Sequence, residues 1–179
     1  MPFSLIQLSR EQMFDIAESR LPVGTLSMVQ EDALPPPFVA KRSLLQIAEG
    51  KSEYWCGTFL IIRNADPCVV GGCGFKNEPK AGRVEIGYGV SPRFRRQGAA
   101  TEAVIALLRL AFAGGATEVL AEVSPENLAS TQVVRRLGFI DSGTRVDEEN
   151  ETVVLWVVSN DALLPPAWPA RHPTRHADC

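Results

Sequence analysis

A chain of 179 residues is long enough for one domain with its own hydrophobic core. Its net charge of −3 and sequence pI of about 5.5 argue against a general nucleic-acid-binding surface. No apolar run reaches membrane-spanning length, and no basic N-terminal region precedes an apolar segment, so we expect a cytoplasmic protein with no membrane partner.

Cysteine and histidine spacing predicts no metal site. The four cysteines form neither a CxxC pair nor a zinc-ligand pattern, so reduced thiols are expected. His172 and His176 lie four residues apart near Cys179, but this Pro-rich stretch lacks the helical pattern that would bring them together.

The first fifty residues predict one strand and two helices. Phe3–Leu8 alternates apolar and polar side chains, and Ser9 with Gln12 makes a capping-box pattern for the following helix. The inward residues of that helix are predicted to be Met13, Phe14, Ile16 and Ala17. Pro37 begins the second helix, which ends at Gly50. Its inward residues are predicted to be Val39, Leu44, Leu45 and Ile47.

Three antiparallel strands are predicted next, at Tyr54–Ile62, Cys68–Phe75 and Arg83–Val90. The glycines at 71, 72 and 74 resemble a dinucleotide-binding loop. However, Phe75–Pro79 cannot begin the helix that such a loop requires. We therefore expect a glycine-rich strand beside an acceptor site. A nucleophilic role for Cys73 would need a base, and no histidine lies in the core sequence.

The C-terminal half alternates helices and strands. The predicted elements are a helix from Ala99 to Gly114, a strand at Glu118–Val123, a helix at Asn127–Leu137, and strands at Phe139–Ser142 and Thr152–Val158. From Leu164 the composition changes to Pro, Ala, Arg and His, which predicts a disordered or loosely docked tail. The expected division is therefore one domain at 1–163 and a tail at 164–179.

Val90–Ala103 carries the first functional signal. It reads as a strand end, a basic turn containing Arg93, Arg95 and Arg96, a glycine, and then an abrupt helix start. A helix N-terminus has unpaired N–H groups and the positive end of the helix dipole, so it favours a phosphate-bearing ligand. The alternative is a solvated basic turn that binds nothing.

Two segments, Arg83–Ala103 and Val119–Phe139, resemble the GNAT superfamily of N-acetyltransferases. Arg95-Arg96-Gln97-Gly98-Ala99-Ala100 matches its acetyl-CoA turn, Arg/Gln-x-x-Gly-x-Gly/Ala. The closest branch contains ribosomal-protein alanine N-acetyltransferases. That branch is also matched by Glu85-Ile86-Gly87-Tyr88, Thr101-Glu102-Ala103, Asn127-Leu128-Ala129-Ser130 and Leu137-Gly138-Phe139. The resemblance covers roughly Tyr54–Val158.

The resemblance implies an α/β (α+β) fold with a central, mixed, mostly antiparallel sheet. About seven strands and about four helices are expected, with the strand ending at Val90 splayed away from Val119–Val123 to hold the pantetheine arm. It also implies transfer of the acetyl group of acetyl-CoA to a primary amine, on a protein N-terminus or a small molecule, by direct attack. No metal or nucleic-acid partner is implied, and monomer and homodimer both stay open.

Site residues follow from the same resemblance. The expected cofactor contacts are Val90, Ser91, Arg95, Arg96, Gln97, Gly98, Ala99, Ala100, Thr101, Asn127 and Ser130. The N–H of Val90 would face the thioester carbonyl and stabilise the oxyanion. Asn127 is interpreted either as a helix cap or as a pantetheine contact, and the two roles are compatible.

Glu85 is the candidate general base, acting directly or through a water. The alternative is that Glu85 pairs with a neighbouring arginine or orients the acceptor amine. Val134 occupies the position where many members have a proton-donating tyrosine. Tyr88, Ser130 and water remain alternatives for protonating the thiolate.

Two other functions stay open. A non-catalytic acyl-CoA sensor is favoured by the missing tyrosine, and a longer acyl group is the other alternative to acetyl.

Overall fold

The computed structural model describes residues 2–24, 28–147 and 150–163. The predicted tail, with His172 and His176, lies outside the described residues. The strands are β1 (Phe3–Gln7), β2 (Met28–Val29), β3 (Thr58–Arg63), β4 (Cys68–Phe75), β5 (Arg83–Val90), β6 (Glu118–Val123), β7 (Ile140–Val146) and β8 (Thr152–Ser159). The helices are α1 (Arg10–Ala17), α2 (Pro37–Ala48), α3 (Glu53–Cys56), α4 (Ala99–Ala113) and α5 (Leu128–Arg136).

One open sheet organises the molecule, with the strand order β1-β3-β4-β5-β6-β8-β7. Every neighbouring pair along this order is antiparallel except β5 and β6, which run parallel. The short β2 lies beside the start of β4. The expected mixed, mostly antiparallel seven-strand sheet is confirmed, with β2 as an unpredicted addition.

The helices cover the sheet on both faces. Alternate residues of a strand point to opposite faces, and β3 shows the division. Phe59 and Ile61 pack in the core that contains α4 and α5 side chains, whereas Leu60 and Ile62 pack with α1 and α2. The α1 and α2 pair therefore lies on one face, and α4 and α5 lie on the other. None of the described helices is long and apolar enough to cross a membrane.

The strand predicted at Tyr54–Ile62 was wrong in its first half. Ser52 accepts a hydrogen bond from the Tyr54 N–H and so caps the one-turn helix α3, which ends at Gly57. Only Thr58–Arg63 is strand. Local capping therefore overrides the β-propensity of the two aromatic residues, and the described helices number five rather than about four.

Two inward assignments were also wrong. Phe14 and Leu45 are 53% and 61% exposed. In α2 the predicted Ile47 is buried, and the buried face also carries Ala40, Ser43 and Gln46, with the Ser43 hydroxyl 3.1 Å from that of Thr58 on β3. The first strand of the last pair is also longer at its C-terminal end than predicted, since β7 runs to Val146 rather than Ser142.

Candidate active site in the splayed strand pair

The parallel strands β5 and β6 separate partway along their length. Their pairing runs from Arg83 with Glu118 to Ile86 with Ala121, and β5 continues to Val90 without a partner on β6. This confirms the predicted splayed pair and leaves a gap beside the last residues of β5.

The backbone of β5 presents donors to this gap. On its other edge, Lys76 N–H donates to Glu85 O and Ser91 N–H donates to Val70 O, each at 2.8 Å. Because antiparallel pairing alternates, the residues between them at even positions direct their N–H and C=O away from β4. The N–H groups of Tyr88 and Val90 therefore point into the gap.

The turn after β5 adds a second set of donors. Arg96 and Gly98 both have left-handed backbone conformations, with φ of 59° and 92°. No side chain caps α4, and among the described residues no acceptor faces the backbone N–H groups of 96–101. Successive free N–H groups in such a turn form a concave anion-binding site.

A cavity of about 560 Å³ lies between this turn and α5, and we call it the α4–α5 cavity. Arg95, Arg96 and Arg136 line it, and no described carboxylate does. Its backbone donors and its guanidinium groups therefore act together on an anionic ligand. This arrangement favours the phosphate-site interpretation of the basic turn over a solvated turn.

Most predicted cofactor residues line the α4–α5 cavity: Val90, Arg95, Arg96, Gly98, Ala99, Ala100, Thr101, Asn127 and Ser130. Ser91 and Gln97 do not. The Ser91 side chain is buried, and the Gln97 amide donates to Arg93 O at 2.9 Å. The prediction missed Gln132 and Arg136, whose four-residue spacing on α5 could have placed them on the cavity-facing side of the helix.

Tyr88 links β5 to α5 across the gap. Its hydroxyl lies 3.4 Å from Ser130 O and donates to it. Asn127 caps α5 by accepting from the Ser130 N–H at 3.1 Å, so the cap role of Asn127 is present. Burial raises the pKa of Tyr88, which keeps its hydroxyl protonated, although the bond to Ser130 opposes that shift.

A second cavity of about 410 Å³ opens on the other face, and we call it the α2 cavity. Its floor contains Gly72, Gly74 and Gly87, and Pro35 with α2 residues forms one wall. A Cβ on Gly72 would lie 2.6 Å from the Pro35 ring, so only glycine at this position allows Pro35 to pack this closely against β4. The glycine-rich strand thus lines a cavity, and its place beside an acceptor stays a prediction.

The two cavities meet at the end of β5. Tyr88, Gly89, Val90 and Arg95 line both of them. The Arg95 Nε also donates to Val90 O at 3.3 Å, which holds the turn against the strand end. A ligand in one cavity can therefore approach a ligand in the other beside these shared residues at the end of β5.

Glu85 lies on the α2 face of β5, two residues from the Gly87 floor position. It forms an ion pair with Lys76 rather than with an arginine. The Lys76 Nζ also lies 3.8 Å from Glu122, which Arg145 binds through two contacts of 2.6 Å. Burial raises the pKa of Glu85, and its contact with Lys76 opposes that rise.

Glu85 and Val90 lie far apart along β5. Five residues of extended strand place their Cα atoms about 16 Å apart. Glu85 also does not line the α2 cavity. A proton leaving a group near Val90 would therefore reach Glu85 only through intervening water.

Two further positions do not contribute to the chemistry. Val134 is fully buried in the core, and its aliphatic side chain has no proton to donate. The Cys73 thiol lies in an apolar environment that raises its pKa strongly, which keeps it neutral and unreactive.

Comparison with known proteins agrees with this geometry. Residues 26–140 match the family model described as an acetyltransferase (GNAT) domain. The chain is 34% identical over 111 residues to "Uncharacterized N-acetyltransferase p20" of Bacillus licheniformis, covering 60% of this chain and 62% of that protein. It is 31% identical over 85 residues to "Uncharacterized N-acetyltransferase YjdG" of Bacillus subtilis (strain 168), covering 46% of this chain and 51% of that protein. The matched segments therefore span less than two thirds of both relatives.

Among solved structures, the fold is similar to that of ribosomal-protein-S5-alanine acetyltransferase from Vibrio fischeri. The TM-score is 0.66 at 19% sequence identity, with 92% of this chain and 97% of that chain covered. The splayed strands, the donor-rich turn and the matched family model lead to one assignment. The chain belongs to the GNAT acetyltransferase family.

Proposed function

We propose that the protein transfers the acetyl group of acetyl-CoA to a primary amine. The observation that carries this proposal is the meeting of two cavities at Val90, whose N–H points into the gap without a strand partner. One cavity suits a phosphate-bearing cosubstrate, and the other offers space for an acceptor. The alternatives, a non-catalytic acyl-CoA sensor and a transferase of a longer acyl group, use the same cosubstrate cavity.

The residues present fit coenzyme A. The pyrophosphate would be held by the backbone donors of 96–101, with Arg95, Arg96 and Arg136 available for charge-assisted contacts. Gly98 has no protein atom within 4 Å of its Cβ position, so the turn leaves space for a phosphate there. When bound, acetyl-CoA supplies an activated thioester carbonyl that a neutral amine can attack.

Three residues of β5 then have distinct roles. The Val90 N–H donates to the carbonyl oxygen as negative charge develops on it. Glu85 accepts the amine proton through water, because its carboxylate is too far away for direct transfer. Tyr88 lines both cavities with a protonated hydroxyl, so we assign it as the proton donor to the departing sulfur.

The decisive experiment is an assay of free thiol release from acetyl-CoA in the presence of a broad amine panel. We expect saturable release that depends on the amine. Tight acetyl-CoA binding with no release from any amine would instead support the sensor alternative. Equal or faster release from propionyl- or succinyl-CoA would support a longer acyl group.

Replacing Gly98 with alanine should weaken coenzyme A binding. At φ of 92° an alanine is strained by about 1–2 kcal/mol, and its methyl group would project into the α4–α5 cavity. Gly115 is a matched control, because it has the same φ of 92° and equally open space but lies outside this cavity. We expect similar losses of thermal stability for both variants, with reduced calorimetric affinity only for Gly98→Ala.

Removing the Tyr88 hydroxyl should lower kcat by about 10²-fold, the scale of general acid catalysis. Tyr54→Phe is the control, since its hydroxyl also donates to a helix carbonyl, Leu110 O, at 2.6 Å but lies outside both cavities. Steady-state rates of Tyr88→Phe are the measurement. Unchanged turnover would mean that one of the other two alternatives, Ser130 or water, protonates the thiolate.

A further inference from the structure

Arg42 is the cation of the α2 cavity that the proposed chemistry leaves unused. It lies on α2 beside Phe38 and Val39, and all three line the cavity. Its Nε is buried without a hydrogen-bond partner, and no described carboxylate forms an ion pair with its guanidinium. Arg42 is half-buried, and its Nε has lost contact with water without gaining an acceptor, so an anionic ligand in the cavity would supply the missing partner.

The carboxylates near Arg42 do not pair with its positive charge. Glu85 is near enough for its charge to raise the pKa of Arg42, but burial has the larger effect and lowers that pKa. The Glu85 carboxylate is itself paired with Lys76. Asp32, on the exposed rim, is the one described carboxylate lining the α2 cavity, against the two cations Arg42 and Arg95.

The other walls of the cavity are apolar. Pro35, Pro36, Phe38, Val39 and Phe75 contribute them. A cavity of about 410 Å³ has the size of a small-molecule site. An acceptor here would therefore meet apolar side chains, one unpaired guanidinium and, at the far end, Val90.

We propose that Arg42 binds a carboxylate of the acceptor, and that the acceptor is a small α-amino acid with an apolar side chain. This inference rests on the proposed acetyl transfer. A guanidinium forms two parallel hydrogen bonds with a carboxylate, which would orient the acceptor amine toward Val90. Arg95 is less available for this role, because its Nε already donates to Val90 O. Two cations on the walls also disfavour a polyamine.

The test compares leucine with leucinamide as acceptors for the wild type and for Arg42→Met. We expect kcat/KM for leucine to fall by roughly ten- to a hundredfold in the variant, with leucinamide nearly unaffected. Because each acceptor is compared with itself, the different basicities of the two amines cancel. Lys41→Met is the matched control, since Lys41 is exposed on the same helix and does not line the cavity. Arg42→Lys should recover part of the leucine activity.

Product binding provides a second measurement that needs no turnover. Calorimetry with coenzyme A present should show N-acetylleucine binding at least tenfold more weakly to Arg42→Met than to the wild type. The affinity for N-acetylleucinamide should stay unchanged. The difference between the two products therefore measures the interaction of the Arg42 guanidinium with the product carboxylate.

The outcomes separate this inference from the proposed function. Equal losses for leucine and leucinamide, or a wild-type preference for spermidine, would overturn the carboxylate assignment while acetyl transfer stands. If no amine is acetylated but N-acetylleucine binding depends on Arg42, acetyl transfer fails and the carboxylate site stands. Absence of both turnover and Arg42-dependent binding overturns both.

Discussion

Replacing Val90 with proline is expected to lower kcat by roughly 10²- to 10³-fold while leaving coenzyme A affinity nearly unchanged. The substitution removes the N–H that points into the gap, whereas the phosphate donors lie in the following turn. This N–H makes no bond to β4, so its loss costs no ladder hydrogen bond. Gly89 precedes the substitution and tolerates the restricted backbone of a residue before proline.

The control for this experiment is Val90→Ala, which removes the side chain but keeps the N–H. We expect its kcat to stay within a fewfold of the wild-type value. Circular dichroism and a thermal melt check that Val90→Pro is folded. A folded Val90→Pro enzyme with wild-type kcat would show that another group stabilises the oxyanion.

Replacing Glu85 with glutamine is expected to lower kcat by roughly 10²- to 10⁴-fold near neutral pH and to abolish the acidic limb of the pH–kcat profile. Glu85 must be ionised to accept a proton, so activity falls as pH drops through its pKa. Burial raises that pKa, and the limb should therefore lie above the ordinary glutamate range. Four charged side chains surround the Glu85 carboxylate. Lys76 follows β4, Glu122 lies on β6, Arg145 lies on β7 and Arg42 lies on α2.

Lys76→Met sharpens the same test. Loss of its positive charge removes the largest contact that opposes the effect of burial, so the pKa of Glu85 rises further. We expect the acidic limb to move to higher pH while kcat on the plateau is largely retained. A limb that stays in place in Lys76→Met, or survives in Glu85→Gln, would assign the titration to the acceptor amine or to another group.

Local signals predict the part of the site that we propose binds phosphate. The basic turn, Gly98 and the amphipathic α4 are contiguous, so their pattern is complete within one stretch of sequence. Asn127 as the cap of α5 is equally local. The helical turn α3 was also accessible, since Ser52 and Glu53 are a capping pattern that the adjacent aromatic residues obscure.

The acceptor side is not predictable in this way, because its residues come together only through the sheet. Lys76 reaches Glu85 through the antiparallel pairing of β4 and β5, whereas the alternative role considered for Glu85 paired it with a neighbouring arginine. Arg42 reaches the same face from α2, more than forty residues earlier in the chain. Neither position follows from residues at a fixed spacing in the sequence. The register of β4 and β5 places Lys76, and the packing of α2 on the sheet places Arg42.

The sharing of Val90 by two cavities on opposite faces of the sheet has a kinetic consequence. In the proposed reaction, each substrate reaches Val90 by its own route, so neither must leave before the other binds. Both are then present together when the acetyl group moves, and it passes directly between them. Initial-rate plots for the two substrates should therefore intersect rather than run parallel, and either product is free to dissociate first.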